Sequence, residues 1–188
     1  MIKPTAQALQ AATDKLVPDI IGPNLRILFC GINPGLYSAA TGHHFARPGN
    51  RFWPALYASG LTPELLTPDK DQRLLEFGYG ITNVVRRASS GAAELTSDEL
   101  RVGGEHLDDT VRRYQPQWLA VLGIDAYKKA FGLKHALVGL QERQIGATHV
   151  WLLPNPSGLN AHYSPARFAE AFADLRRATE SASKYLKR

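Results

Sequence analysis

The sequence predicts an α/β domain in which a parallel sheet carries helices on both faces. Short apolar runs at residues 25–30, 118–122 and 149–153 are bounded by Gly or Pro and have the length of buried strands, with 80–85 a fourth, less apolar candidate. Between them lie stretches of helical spacing at 50–59, 69–77, 97–114, 124–131 and 164–181. Two of these have marked starts. Ser97 precedes Asp98 and Glu99 in a first turn, and Ser164 reads as an N-cap with Pro165 at the first helical position. Strands alternating with helices feed a parallel sheet covered on both sides, and sites in such folds lie beyond the carboxyl ends of the strands.

Length and composition agree with this reading. A chain of 188 residues suits one domain that buries roughly 70% of its unfolded surface. Hydrophobic content of 44% and charged content of 21% exclude a disordered, collagen-like or coiled-coil chain. One cysteine excludes a disulfide scaffold or a multi-thiolate zinc site and suits a reducing, cytoplasmic setting. No secretory h-region opens the chain, and no apolar run approaches the ~20 residues that span a bilayer, so no membrane is expected. The formal charge of +5 and a pI near 9.4 make a nucleic-acid partner a fair question.

Two loops stand out because each follows a strand and each holds Asn-Pro. The first strand runs into Gly31-Ile32-Asn33-Pro34-Gly35, and the last into Pro154-Asn155-Pro156-Ser157-Gly158-Leu159. A residue before proline is held extended, so Asn33 and Asn155 have restrained backbones. Gly35 and Gly158 permit close approach by a ligand. A carboxamide accepts and donates hydrogen bonds, which suits orienting a water or reading a base edge, but it is no general base near neutral pH. Between the loops, residues 41–53 gather Phe45, Phe52 and Trp53 with His43, His44, Arg47 and Arg51, a mixture suited to a stacked base. Phe52 and Trp53 also fit the core face of the helix beginning near Asn50, whereas Phe45 precedes it. Cys30 ends an apolar strand without a cysteine-hydrolase signature, and adjacent His43-His44 lack metal-ligand spacing.

Three stretches, Phe29-Cys30-Gly31-Ile32-Asn33-Pro34-Gly35-Leu36, Asn50-Arg51-Phe52-Trp53 and Leu153-Pro154-Asn155-Pro156-Ser157-Gly158-Leu159, together resemble the mismatch-specific uracil-DNA glycosylases. These are close relatives of the thymine-DNA glycosylases within the uracil-DNA glycosylase superfamily. The likeness covers about residues 25–177, leaving 1–24 as an N-terminal extension and 178–188 as a tail of a single domain. It implies a three-layer α/β/α sandwich with a central, mostly parallel four-stranded sheet. It implies a monofunctional, cofactor-free and metal-free hydrolase that cleaves the N-glycosidic bond of flipped-out uracil, particularly in G·U mismatches. The partner would be double-stranded DNA, met by a monomer.

By the same resemblance Asn33 positions the water, Ile32 and Gly35 contact the pyrimidine, Phe45 stacks on the flipped base and Ser38 lies near its C5 edge. Asn155 holds the loop or contacts the pyrimidine or its phosphate. Ser157, Gly158, Leu159 and Asn160 meet DNA, with Leu159 as the wedge in the vacated stack. The sequence departs from bacterial relatives at Asn83, where Lys is frequent, and at Asn160-Ala161, where Ser-Arg is frequent. The stretch 89–94 would border the site, with Glu94 its one acid. Two other functions fit the same residues: a non-catalytic binder of damaged or single-stranded nucleic acid, and a free-nucleoside hydrolase that needs no wedge.

Overall fold

The computed structural model describes residues 3–158, 160 and 163–185. Its centre is a five-stranded sheet in the order β2-β1-β3-β5-β4. Strand β1 (Ile27–Gly31) pairs in parallel with β2 (Tyr79–Asn83) on one side and with β3 (Trp118–Leu122) on the other. Strand β5 (Thr148–Leu153) continues the parallel set beside β3, and β4 (Gly139–Ile145) runs antiparallel at the edge. The expected sheet of four strands therefore gains one. Strand β4 escapes sequence reading because Gln141, Glu142, Arg143 and Gln144 occupy an edge that buries little, so no apolar run marks it.

Side chains alternate between the two faces of the central strands, as the two-residue strand period requires. Ile27 and Phe29 of β1 join Phe52, Trp53 and Leu56 of helix α3 (Phe52–Ala58) and Phe168, Phe172 and Leu175 of helix α6 (Pro165–Tyr185). Leu28 and Cys30 join Leu100, Leu107 and Val111 of helix α4 (Ser97–Tyr114) and Tyr127 of helix α5 (Ile124–Ala130) on the opposite face. Both faces of the sheet are thus covered, giving three layers. Two short helices, α1 (Ala6–Gln10) and α2 (Leu36–Thr41), add to the periphery.

The helix starts differ in detail from the sequence reading. Helix α4 is capped by Thr96, whose hydroxyl accepts from the Glu99 amide while the Glu99 carboxylate accepts from the Thr96 amide, so the cap lies one residue before Ser97. Ser164 accepts from the Arg167 amide at 3.3 Å, as the first-turn pattern there predicts. Residues 69–77 wind as a 3-10 segment, Pro68–Phe77, kinked at Lys70. Its buried Asp71 accepts from the His44 amide and contacts His43, so this segment follows its polar contacts instead of an α-helical apolar stripe.

The N-terminal strap, residues 14–20, lies along the outer edge of β2. Ile20 and Ile81 exchange both backbone hydrogen bonds, and Asp14 and Lys15 pair with Ala88. Behind β2, α4 approaches so closely that a Cβ on Gly103 would sit 2.3 Å from the Val84 carbonyl. Glycine in a helix interior costs about 1 kcal/mol relative to alanine, and here the contact demands it. This fixes the position of Asn83, one residue before Val84.

Candidate active site

The chain leaves β1 for β2 on one side and later places β3 on the other, so the strand order reverses beside β1, where clefts form in open α/β sheets. A cleft of about 160 Å³ opens there, lined by Ile32, Asn33, Gly35, Ser38, Phe45 and Asn83 together with Ser90, Gly91, Asn155 and Ser157. The structure thus brings together residues from both Asn-Pro loops and from the segment after β2. Ser157 and Asn155 line the cleft, Gly158 and Asn160 lie further along the same loop, and Leu159 lies outside the described residues.

Asn33 is oriented by its nitrogen. Its Nδ2 donates to the Ser89 hydroxyl at 2.8 Å and lies 3.2 Å from each of the Pro34 and Arg87 carbonyls. Carbonyls only accept, so the nitrogen must face them, and the amide orientation is settled by chemistry. Oδ1 takes no hydrogen bond from a described residue and remains as an acceptor for a water. Ser89 is fully buried, and its hydroxyl donates in turn to the Gly91 carbonyl at 2.9 Å, which leaves its lone pairs to Asn33. Nothing in the sequence marks Ser89 for this role beyond its place after a strand end.

Phe45 stands with one face on Phe52, ring centroids 4.2 Å apart, and it lines the cleft. Its φ of +52° lies in the left-handed region, an uncommon conformation for a bulky residue and one that persists only when its surroundings impose it. Those surroundings are visible on both sides. Ser38 accepts the Ala46 amide at 3.1 Å, and buried His44 contacts the Pro18 carbonyl through Nε2 at 2.9 Å while its own carbonyl accepts from Trp53. Burial holds the His44 pKa below its ordinary value, and because a carbonyl only accepts, Nε2–H is the donor to Pro18. Ser38 therefore ties down the aromatic loop as well as lining the cleft.

Asn83 is a functional candidate that sequence reasoning met only as a departure from relatives. It ends β2, is 7% exposed, lines the cleft, and its carboxamide pairs with no described residue. A Cβ on Gly31 would lie 2.5 Å from Asn83 Oδ1 and 3.3 Å from Phe45 Cζ, so the absent side chain of Gly31 is what lets an amide and an aromatic ring meet on the cleft floor. Two Asn residues at the ends of neighbouring parallel strands, Asn33 after β1 and Asn83 closing β2, were the available signal.

Gly35 differs from Gly31. Its φ is −75° and an added Cβ would touch nothing within 4 Å, so protein packing does not demand glycine there. Asn155 spends Oδ1 on the Ser157 amide at 3.0 Å and its carbonyl on Asn160, which makes it a brace of the loop. Glu94 caps the Ser90 amide and hydroxyl, and these bonds hold its carboxyl below the usual range. It does not line the cleft. Among the described lining residues there is neither a carboxylate nor a lysine. Burial pushes the Cys30 thiol up, away from the thiolate a nucleophile needs. Among the described residues no three of His, Cys, Asp or Glu cluster as metal ligands.

The family model of the uracil DNA glycosylase superfamily matches residues 18–176, and the chain belongs to that superfamily. Among solved structures, it is similar to a solution NMR structure from Methanosarcina acetivorans described, provisionally, as a uracil DNA glycosylase. That likeness has a TM-score of 0.57 at 18% identity and covers 87% of this chain and 97% of the other, which shows a shared fold. The family places the chain among the DNA glycosylases, hydrolases that act on DNA.

Proposed function

We propose that this protein is a monofunctional glycosylase that removes uracil flipped out of duplex DNA, with G·U mismatches as its preferred substrate, and that it works as a cytoplasmic monomer. The observation that carries the reading is the arrangement of Asn33 with a spent nitrogen and an open Oδ1, the Phe45 ring and the unpaired Asn83 amide around one cleft. A base stacked on Phe45 would present its polar edge to Asn83, whose carboxamide can both donate and accept. A water held on Asn33 Oδ1 would face the sugar. As the N1–C1′ bond breaks, its electron pair leaves with the base, the water oxygen bonds to C1′ of an oxocarbenium-like sugar, and the proton that the water loses passes through solvent to the uracil anion, giving neutral uracil and an abasic sugar.

Several features favour this assignment within the glycosylases. Without a lysine amine among the lining residues, no Schiff base to C1′ is available, which suits simple hydrolysis. Without a carboxylate there, the barrier falls chiefly through fixed donors to the departing uracil anion, each typically worth ~2.7–4 kcal/mol, and a slow enzyme follows. A mispaired uracil costs less to extrude than a paired one, which favours G·U. Leu159 is proposed as the wedge that fills the vacated stack.

The deciding assay incubates the protein with U·G, U·A and T·G duplexes and a single-stranded uracil oligonucleotide, then cleaves abasic sites with alkali. Strand breaks greatest for U·G support the proposal. Tight binding of U·G without strand breaks identifies a non-catalytic binder, a reading that the lack of a lining carboxylate keeps in view. Uridine hydrolysis without duplex cleavage identifies a nucleoside hydrolase.

A further inference from the structure

Asn50-Arg51-Phe52-Trp53 is only partly absorbed by the base cleft. Phe52 and Trp53 are core, and Asn50 Oδ1 caps the Phe52 amide at 3.0 Å, which leaves Arg51 without a role. We propose that Arg51 is a positioning residue that holds the backbone at Pro156, Gly158, Asn160 and Tyr163 in the arrangement in which this loop meets DNA, before DNA is bound.

Arg51 reaches four carbonyls of that loop. Its backbone amide donates to the Pro156 carbonyl at 2.9 Å. Nη1 donates to the carbonyls of Asn160, at 3.1 Å, and Tyr163, and Nη2 lies 3.4 Å from that of Gly158. The guanidinium is half-buried and joins no ion pair with a described carboxylate, so loop carbonyls are what satisfies its charge. A second observation comes from the turn that precedes Arg51. A Cβ on Gly158 would lie 2.7 Å from the Gly49 carbonyl oxygen, so the loop rests backbone to backbone on the turn that leads into Arg51.

Carbonyls at 158, 160 and 163 converge on one planar fork, which ties these three points of the chain to a single side chain. A loop already shaped loses little conformational freedom on docking, so more of its contact energy is available to hold the duplex open. Lysine offers three donors on a flexible stem and cannot reproduce the fork. Donors spent on carbonyls are not free for phosphate, which separates this role from an ordinary backbone contact to DNA.

The duplex arm of the test rests on the glycosylase reading, and the hydrogen-exchange arm does not. In the free protein, Arg51→Ala is expected to speed amide exchange in a peptide covering 155–163 about tenfold, with the peptide covering β1 unchanged. Arg51→Lys should give an intermediate increase. Single-turnover release from the U·G duplex should fall about tenfold while release from a single-stranded uracil oligonucleotide falls less than about threefold, because a single strand has no stack to hold open. The salt slope of duplex binding should not change. Unaltered exchange at 155–163 overturns the proposal, as do equal losses on both substrates or a slope reduced by about 1, the mark of a phosphate contact. If the β1 peptide loses protection in the Ala variant, the Lys variant decides. If the wild-type protein releases no uracil, the glycosylase reading fails and exchange alone decides the role of Arg51.

Discussion

What Asn33 can do is decided by which half of its carboxamide is already engaged. With Nδ2 held by Ser89, Pro34 and Arg87, Asn33→Ala removes the open acceptor and should lower single-turnover base release at least about tenfold with little change in duplex affinity. Residue chemistry alone expects Asn33→Asp to match or exceed the amide, since a carboxylate activates water and offsets sugar charge. The structure alters that expectation. One oxygen of the introduced carboxyl group would face two carbonyls, which favours the protonated acid, so its pKa rises and the useful carboxylate exists above that raised value. Release by Asn33→Asp should therefore climb with pH where the wild type is flat, and a rate independent of pH between about 5 and 9 would count against this geometry. Asn83 gives a cleaner separation of function from stability. No described residue pairs with its side chain, so Asn83→Ala orphans no partner and should leave the melting temperature within a few degrees while cutting base release about tenfold or more. A variant that melts much lower would assign Asn83 to packing.

Secondary-structure elements were legible in the sequence to the extent that they bury apolar faces. Strands β1, β3 and β5 sit in the middle of the sheet and read as short hydrophobic runs, while edge strand β4 reads as a polar loop. The same logic applies to the site. Asn33 and Asn155 announce themselves because proline fixes the loop after a strand, but Ser89 and Arg51 act through hydrogen bonds to carbonyls, which no residue pattern encodes. Helix α4 shows how far such links extend. The carboxylate of Glu99 closes the α4 cap and pairs with the Arg87 guanidinium, while the carbonyl of Arg87 faces Asn33. Those partners lower the Glu99 pKa to about 2 from an ordinary value of 4.5. A depressed folded-state pKa contributes stability that is present above the unfolded value and lost as pH falls toward the folded one. The melting-temperature gap between wild type and Glu99→Gln should thus be full at neutral pH and shrink from about pH 4.5 down to about 2. A gap that stays constant across that window would show that the pair does not persist in solution.

At the scale of the whole molecule, the net charge of +5 is not shared evenly among the basic side chains, because many arginines are matched locally. Arg73, Arg87, Arg101, Arg112, Arg143, Arg176 and Arg177 pair with carboxylates, and Arg51 is engaged by loop carbonyls. Arg47 is different. It is exposed, lines the cleft beside Phe45, and joins no ion pair with a described residue, so its charge stands at the mouth of a site whose described lining residues include no carboxylate. Sheet topology puts it there, because the cleft opens where the strand order reverses and residues 42–51 cross that opening between α2 and α3. DNA docking on this edge would neutralise a few phosphates and release their counterions, so log affinity should fall linearly with log salt at a slope of about −0.9 per phosphate contacted. For uracil-containing duplex between about 50 and 200 mM salt, a slope near −3 to −5 is expected from about four contacts. Arg47→Ala should bring that slope about 1 unit closer to zero, whereas Arg177→Ala, which is on α6, does not line the cleft and is already paired with Glu170 and Asp174, should leave it unchanged. Measured by fluorescence anisotropy on one labelled duplex, equal effects of the two variants would mean that the charge acts as a diffuse field. A wild-type affinity flat in salt would remove duplex DNA as the partner of this edge.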